Sequence, residues 1–372
     1  MKRNANIIQI VIFCAFIAIL AVLCLVTPSK EFSEQENRYL DQRPKFSFED
    51  LFSGEFIEDF EGYVTDQFVF RDSWISMKSR FERLLGKTEN NGVFFCEDGA
   101  LISRFDKPDE SLLASNINAV NKLASSTDAD VYLSIIPGAV SIWADKLPEN
   151  AVNYDQKALI EDIYSRVNVK TVDNYSALSA HSEEYIYYRT DHHWTSLGAY
   201  YGYTALAEAM GFEAKDIGSF SPETVSEEFY GTVYSSSGVR WVEPDSIEIF
   251  VPAENVKVTN YPNGKPVEGM VYDKSKLDVK DKYSMFFGGN TPMLEIDTGA
   301  EGKPRLLVLR DSYSDSELPF LFDDFSHITV LDLRYYKMSI VEFIETNEID
   351  TVLINYSASN FTSDNTVFRL GY

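Results

Sequence analysis

Short apolar segments alternate with helical ones through most of this chain. Apolar strands are predicted at Val131–Ile136, Arg305–Leu309 and Thr351–Asn355, and helices at residues 155–166 and 196–210. Strands that are apolar along their whole length are buried on both faces, and in alternation with helices they form a mostly parallel sheet. The pattern therefore predicts an α/β domain of three layers.

The first 28 residues have a different character. Ile7–Val26 is apolar apart from Gln9, and about 20 helical residues are enough to span the core of a bilayer. Lys2 and Arg3 precede the run and favour a cytoplasmic N-terminus. We predict a single-pass anchor over residues 1–28 in the cell membrane, with the rest of the chain extracytoplasmic.

A cleaved signal peptide and a lipoprotein signal are the alternatives to this anchor. The run is longer than the usual signal-peptide core of about 7–15 residues, and no small-residue cleavage site follows it. Cys24 could carry a lipid, but the residue before it is the large Leu23. These features favour the anchor. Cys96 is the only cysteine beyond the run, so no intrachain disulfide is expected there.

The remaining chain is predicted to have two parts. Residues 29–90 are expected to form a juxtamembrane linker and a helical stalk. Residues 91–372 form the main domain, interrupted at about 214–297 by a β-rich insertion that includes a strand at Gly231–Tyr234. The whole chain carries a net charge of −25, which makes nucleic acid an unfavourable partner.

The strand at Arg305–Leu309 runs directly into Arg310, Asp311 and Ser312. In an open α/β sheet, ligands bind beyond the carboxyl ends of the strands. A serine there is a candidate nucleophile, but it needs an adjacent base because its hydroxyl is protonated at neutral pH. The alternative is that Ser312 or Asp311 only caps the next helix.

A candidate base lies in the segment Thr190–Thr195, which holds two of the four histidines. Asp191 and His193 are two residues apart, and a carboxylate at that spacing can orient an imidazole and stabilise its protonated form. A capping Asp beside structural histidines is one alternative, and a metal site is another. No HExxH or CxxC pattern is present, so we predict no metal and no cofactor.

The segment Tyr188–Thr195, YRTDHHWT, resembles the signature of the bacterial DHHW protein family. That family resembles the SGNH-like acetyltransferases that O-acetylate alginate and related exopolysaccharides, in which an Asp-x-His-Trp motif precedes a serine on a later strand. Weaker similarities at Gly92–Phe95 and Ser134–Pro137 extend the resemblance over most of residues 31–372. It implies a three-layer SGNH-like (flavodoxin-like) fold.

The resemblance also implies a function. Asp191 orients His193, His193 deprotonates Ser312, and Ser312 carries an acyl group to a hydroxyl of an envelope or exported polysaccharide at the cell surface. Cytoplasmic acetyl-CoA cannot reach such a site, so a membrane-bound O-acyltransferase partner is implied as the donor. A carbohydrate esterase with the same three residues and a non-catalytic surface scaffold with a decayed site are the alternatives.

The chain departs from this family pattern at one position of the serine motif. SGNH hydrolases typically have Gly-Asp-Ser, whereas Arg310 stands here before Asp311 and would either crowd the turn or hold an anionic substrate group. The Ser312 N–H is one predicted donor to the oxyanion, and Gly289 and Asn290 are candidates for a second, although a simple turn is the alternative for these two residues. Trp194 is expected near the site, where an indole can stack on a sugar.

Overall fold

The computed structural model describes residues 2–251 and 256–371. Met1, residues 252–255 and Tyr372 belong to the predicted anchor, insertion and main domain, and they lie outside the described residues. The chain divides into two compact units, Met1–Lys87 with Gly238–Arg240 and Thr88–Ser237 with Trp241–Tyr372. The boundaries at residues 28 and 90 stay our proposal for the domains.

The first unit begins with helix α1, Lys2–Val26. Within it, Ala5–Val26 reaches a mean hydropathy of 3.1 over its most apolar window, none of which is buried. Among the described residues it is the one helix long and apolar enough to cross a membrane. A signal sequence shares these properties, so the anchor and its orientation remain predictions. The side chains of Lys2 and Arg3 lie outside the described part.

The rest of the first unit is a short β-ladder and three helices: β1 Phe32–Ser33, β2 Arg38–Tyr39, α2 Phe48–Ser53, α3 Glu55–Asp66 and α4 Arg71–Leu84. Residues 48–86, which the spacing of their apolar positions predicts to be helical, form these three helices with breaks at Gly54 and at residues 67–70. A break occurs at Gly54, whose φ of 91° ends α2. Arg38 donates two hydrogen bonds to Asp66, at 2.8 and 2.5 Å, and so ties β2 to α3.

The described strands of the second unit are β3 Glu89–Asn90, β4 Val93–Phe95, β5 Leu101–Ser103, β6 Asp130–Ile136, β7 Lys170–Val172, β8 Ser221–Phe229, β9 Asp245–Val251, β10 Lys257–Asn260, β11 Val267–Glu268, β12 Met293–Asp297, β13 Arg305–Arg310, β14 His327–Leu331 and β15 Thr351–Ser357. Eight of them form the main sheet in the order β11-β10-β12-β14-β13-β15-β6-β7. The strands from β14 to β7 pair in parallel, and β12, β10 and β11 extend one edge in antiparallel pairing.

The central strands are buried along their length. Every residue of β13 from Leu306 to Arg310 is at most 1% exposed, as is every residue of β15 from Val352 to Tyr356. Because successive strand residues point to opposite faces, both faces of the sheet are covered. The predicted three-layer α/β architecture with a mostly parallel sheet is confirmed.

The helices of the second unit are α5 Glu110–Ala124, α6 Ala139–Ile142, α7 Gln156–Arg166, α8 Asn174–Ser179, α9 Ser196–Met210, α10 Thr232–Ser237, α11 Ile340–Thr346 and α12 Ala358–Ser363. The two predicted helices are α7 and α9. The start of α9 is capped by the Thr195 hydroxyl, which accepts from the Gly198 N–H at 3.3 Å. Its end is set by Gly211, with a φ of 79°.

The strands of the β-rich stretch between residues 214 and 297 belong to two different sheets. Strands β8 and β9 form a two-stranded sheet of their own, whereas β10, β11 and β12 join the edge of the main sheet. The strand predicted at Gly231–Tyr234 is wrong, because helix α10 begins there at Thr232. A contact from a distant loop decides the local conformation, since the Thr232 N–H donates to Asp191 at 2.8 Å.

A small hairpin supports the segment that contains the DHHW string. Strand β4 pairs antiparallel with β5, and the turn between them has positive φ angles at Asp98 and Gly99, 55° and 75°. The Leu101 N–H donates to the Arg189 carbonyl at 2.8 Å. The hairpin therefore lies against the loop that leads into α9.

Candidate active site

Ser312 lies in a turn that is held in place by the hydrogen bonds of its neighbour Asp311. Its neighbour Asp311 follows the last residue of β13 and accepts hydrogen bonds from the Tyr313 N–H at 3.0 Å and the Ser357 N–H at 2.8 Å. The Ser357 hydroxyl and the Asn360 amide donate to the same carboxylate, at 2.7 and 2.8 Å. Asp311 thus clamps the end of β13 to the end of β15, and it has a structural role.

The loop with Asp191 and His193 is held from the other side of the site. Trp194 is fully buried, and its indole N–H donates to the Tyr313 carbonyl at 2.9 Å. The Thr195 hydroxyl donates to the Tyr185 carbonyl at 2.7 Å. The loop before α9 is therefore anchored directly to the turn that carries Ser312.

The two segments bring the three predicted residues together. His193 Nε2 lies 2.8 Å from Ser312 Oγ, and His193 Nδ1 lies 2.5 Å from Asp191 Oδ1. Asp191 accepts from Nδ1–H, which leaves Nε2 able to accept the serine proton. Asp191 and His193 are 4% and 5% exposed, whereas Ser312 is only partly buried. A hydrogen-bonded base thus meets a reachable hydroxyl.

The Asp191 carboxylate stays ionised. Its burial by itself raises the pKa, but the fields of His192 and His193, the hydrogen bond from His193 and the backbone N–H of Thr232 outweigh burial and hold the pKa well below its usual range. A permanently charged carboxylate keeps the proton of His193 on Nδ1. This is the tautomer that general-base chemistry at Ser312 requires.

Thr232 and Gly231 complete the support of Asp191. Thr232 donates to Asp191 Oδ2 from its backbone N–H at 2.8 Å and from its hydroxyl at 3.0 Å. A Cβ on Gly231 would lie 2.2 Å from Asp191 Oδ2, so no larger residue fits there. Sequence reasoning did not find this pair, because it lies some 40 residues away in a segment predicted as a strand.

Tyr283 was also missed by sequence reasoning. Its ring stacks on the His193 imidazole with centroids 3.8 Å apart and planes 7° apart. Its hydroxyl donates to either the Ser312 carbonyl or the Ser316 hydroxyl, each 3.1 Å away. Tyr283 is one of 22 tyrosines in the chain and lies in an irregular stretch, and nothing in its local pattern distinguishes it from the others.

The other predicted site residues have different surroundings. Arg310 is 1% exposed, pairs with buried Asp315 at 3.1 Å and donates to the Asn290 amide oxygen at 2.9 Å. Its guanidinium therefore neither crowds the turn of Ser312 nor reaches solvent to hold a substrate anion. Burial raises the pKa of Asp315 to about 7 against the opposing charge of Arg310, so this pair is a feature of the core.

Two further expectations need correction. The Gly289 N–H donates to the Phe286 carbonyl at 3.2 Å and closes a turn, so the turn interpretation is the better one for Gly289. The exposed Asn290 accepts from Arg310 through its amide oxygen, and its amide NH₂ stays our predicted candidate for a second oxyanion donor. Trp194 has no exposed surface, so a sugar cannot stack on it, and its indole serves to join two loops.

One group of ligand atoms among the described residues is close enough to hold a metal ion. Asp191, His192 and His193 offer atoms within 4.8 Å of one another. Both Nδ1 atoms already have hydrogen-bond partners, Thr232 Oγ1 for His192 and Asp191 for His193. The arrangement fits proton transfer, and we derive no metal chemistry from it.

Fold and site define a three-layer α/β protein of the SGNH-like class, with Ser, His and Asp hydrogen bonded in series at the carboxyl edge of the sheet. A family model described as DHHW protein matches residues 103–331, more than half of the chain. The chain belongs to the DHHW protein family. The similarity stated from the sequence is confirmed.

The chain is also similar to several solved structures. A DHHW family protein from Eubacterium siraeum is 28% identical, with 76% of this chain and 95% of that chain covered and a TM-score of 0.66. Bacillus cereus PatB1 with a sulfonyl adduct is 20% identical, with 74% of this chain and 96% of that chain covered and a TM-score of 0.62. The O-acetyltransferase domain of Pseudomonas putida AlgJ is 16% identical, with 74% of this chain and 93% of that chain covered and a TM-score of 0.47. No curated protein matches the sequence.

Proposed function

We propose that this protein is a cell-surface O-acyltransferase that moves an acetyl group, through an acyl-enzyme on Ser312, onto a hydroxyl of an envelope or exported polysaccharide. The observation that carries the proposal is the hydrogen-bonded series in which His193 Nε2 lies 2.8 Å from Ser312 Oγ and His193 Nδ1 lies 2.5 Å from Asp191. The distances are those at which a base can take the proton of a nucleophile.

The first half-reaction loads the serine. His193 Nε2 accepts the Ser312 proton while Oγ attacks the carbonyl carbon of the acyl donor, and the carbonyl electrons move to oxygen. The Ser312 N–H remains our predicted donor to that oxyanion. Collapse of the intermediate expels the donor's oxygen, which takes the proton from the imidazolium. Asp191 stabilises the imidazolium throughout and keeps its own charge.

The second half-reaction removes the acyl group from Ser312. An acceptor hydroxyl gives its proton to His193 Nε2 and attacks the acyl carbon of Ser312. The new ester forms as the Ser312 Oγ leaves and recovers the proton from His193. With water in place of the sugar hydroxyl the same steps describe an esterase, so the geometry of these three residues serves both reactions.

Three observations support the proposal beyond the distances. Ser312 is partly accessible, as a nucleophile that must meet its donor and acceptor has to be, while its two partners Asp191 and His193 are buried. The related PatB1 forms a sulfonyl adduct, a modification typical of activated nucleophiles. The family resemblance implies acetyl transfer, and therefore a membrane-bound O-acyltransferase partner as acetyl donor.

The proposal is tested with the full chain in detergent micelles and a chromogenic acetyl ester. Wild type should release the chromophore and carry an acetyl group on Ser312 that mass spectrometry detects. Ser312→Ala should abolish both, whereas Ser314→Ala, a buried serine two residues on, is the matched control. Folded wild type with neither turnover nor adduct would reject the acyl-enzyme and favour the scaffold alternative.

A further inference from the structure

Helix α3 of the first unit carries its apolar and its acidic residues on opposite sides. At 3.6 residues per turn, an arc of about 120° holds five side chains, which we call the apolar stripe of α3: Phe56, Ile57, Phe60, Tyr63 and Val64. The acidic residues of the same helix all lie outside that arc: Glu55, Glu58, Asp59, Glu61 and Asp66. A helix of a soluble domain with this pattern buries its apolar side and exposes its polar side.

In this protein it is the polar side of α3 that packs against the rest of the unit. Asp66 is buried and accepts hydrogen bonds from Arg38 at 2.8 and 2.5 Å. Gly62, on the same side of the helix, approaches the segment after β2 so closely that a Cβ on it would lie 2.5 Å from Asp41 Oδ2. The contacts of α3 within the unit therefore use its polar residues and its glycine.

The apolar stripe is exposed. Ile57, Phe60 and Val64 are 59%, 43% and 45% exposed. The apolar surface continues beyond the helix, because the exposed ring of Phe46 lies 5.3 Å from that of Phe56, centroid to centroid. Monomeric soluble domains rarely expose contiguous apolar surface of this kind, and where they do it marks a contact with a membrane or with another protein.

The path of the chain points to the membrane as the partner. The Tyr63 hydroxyl, at the C-terminal end of the stripe, lies 3.3 Å from the hydroxyl of Ser29, which is three residues beyond the end of α1. The Lys30 N–H donates to Gln67 Oε1, and Gln67 Nε2 donates back to the Lys30 carbonyl, both at 2.9 Å. The exit of α1 is thus tied to the end of α3. With α1 across the bilayer, the stripe begins at the depth of the lipid head groups, where aromatic rings are enriched.

We propose that α3 lies in the membrane interface with its apolar stripe against lipid, so that the anchor has two parts, α1 across the bilayer and α3 along its extracytoplasmic surface. The ligand is the boundary between head groups and acyl chains, into which amphipathic helices insert their apolar side. Residues 48–66 contain no Lys or Arg, so apolar burial drives the contact rather than attraction to anionic lipid. This inference rests on the predicted anchor and is independent of the proposed chemistry at Ser312.

The position of α3 is tested by spin labelling of the full chain, reconstituted alone in phosphatidylcholine nanodiscs. Cys14→Ala and Cys24→Ala leave only the buried Cys96, so one introduced cysteine carries the nitroxide. Ile57→Cys places the label on the stripe. Glu58→Cys, exposed and on the opposite side of the helix, is the matched control. Power-saturation electron paramagnetic resonance then compares collisions with oxygen, which concentrates in lipid, and with a water-soluble nickel chelate.

We expect the ratio of oxygen to nickel accessibility to be on the order of tenfold higher for Ile57→Cys than for Glu58→Cys, because the apolar side of an interfacial helix is buried by about 5–10 Å. Val64→Cys, two turns further on, should repeat the result and guards against a local disturbance at the first position. Equal nickel accessibility on both sides of α3 would overturn the proposal and leave the stripe to a protein partner.

Two further outcomes would also overturn it. Spin–spin broadening in Ile57→Cys that disappears on dilution with unlabelled chain would assign the stripe to a second copy of this protein. A chain that the nanodiscs do not retain would overturn the anchor itself. Because neither result depends on an acyl-enzyme at Ser312, the failure of this inference and the failure of the proposed function are distinguishable.

Discussion

Tyr283 and His193 form a parallel stack, with ring centroids 3.8 Å apart and planes 7° apart. On the imidazole's other flank, the His192 ring lies 3.8 Å away at 37°. His193 is thus held between two rings, with its edge nitrogens left to Asp191 and Ser312. Burial raises the pKa of Tyr283 well above its usual value, so its hydroxyl stays a neutral donor.

The stack predicts a difference between two Tyr283 variants. Tyr283→Phe keeps the ring and loses one hydroxyl, so kcat for the chromogenic ester should stay within about threefold of wild type. Tyr283→Leu removes the flat surface, worth about 1 kcal/mol for an aromatic pair, and lets the imidazole tilt. Its kcat should fall on the order of tenfold or more. Equal kcat values for the two variants would show that the stack does not position His193.

Asp191→Asn tests the carboxylate. The side-chain amide of Asn can donate to His193 Nδ1 and so favour the tautomer whose Nε2 carries the proton, which cannot accept from Ser312. We expect kcat to fall on the order of 10³–10⁴-fold, as replacement of the triad carboxylate does elsewhere, with the fold retained by circular dichroism. A loss smaller than about tenfold would show that Asp191 does not set the tautomer.

Removal of the Thr232 hydroxyl is expected to lower kcat as well, but by less than Asp191→Asn does. Thr232→Val keeps the shape and the backbone N–H bond to Asp191 but removes the hydroxyl, which lies 3.0 Å from Asp191 and 2.6 Å from His192. A hydrogen bond to a charged group is worth about 1.5–3 kcal/mol, so kcat should fall by about tenfold or more. Thr232→Ser should recover most of the rate. Failure of the serine variant to do so would assign the effect to packing.

Glu317, which is not one of the candidate catalytic residues, is expected to make the stability of the protein depend on pH. It is 1% exposed, accepts from the Asn355 amide at 2.6 Å, and burial raises its pKa from 4.5 to about 8. Between these two values the unfolded chain ionises Glu317 and the folded chain does not. Wild type therefore loses stability as the pH rises from about 4.5 through about 8, by at most about 1.4 kcal/mol per unit from this group.

Glu317→Gln removes that loss. The variant should gain stability relative to wild type between pH 5 and pH 8, measured by chemical denaturation of the full chain in detergent at both pH values. Glu208→Gln, on the helix α9 and more exposed, is the matched control and should show no such gain. Parallel pH curves for wild type and Glu317→Gln would mean that Glu317 is ionised in the folded protein.

The sequence predicts best what depends on regular patterns. The continuous apolar run of β13 places Ser312 at a strand end, and the DHHW string supplies Asp191 and His193 as partners. Thr232 and Tyr283 escape prediction because they come from the irregular stretch 214–297, where contacts across tens of residues decide conformation. The helix at Thr232 is an example, since its first N–H is fixed by Asp191 rather than by local preference.

Burial explains the predictions that fail near the serine. Arg310 continues a strand whose neighbours point into the core, and a partner for its charge, Asp315, follows five residues later. Nothing in the sequence says that these two side chains meet inside. Trp194 likewise has a side chain of the type that stacks on sugars, but its hydrogen bond to Tyr313 makes it a link between the two loops.

The pairing of β6 with β15 has a consequence for how the chain acquires its structure. Thr351–Ser357 lies directly beside Asp130–Ile136, so the middle of the sheet stays incomplete until nearly the whole polypeptide has been synthesised. Contacts of such long sequence separation slow folding. Because Asp311 is also clamped by Ser357 and Asn360, a chain that stops short of β15 lacks both a closed core and a positioned Ser312. A prematurely terminated chain is therefore expected to lack the proposed activity entirely rather than to retain part of it.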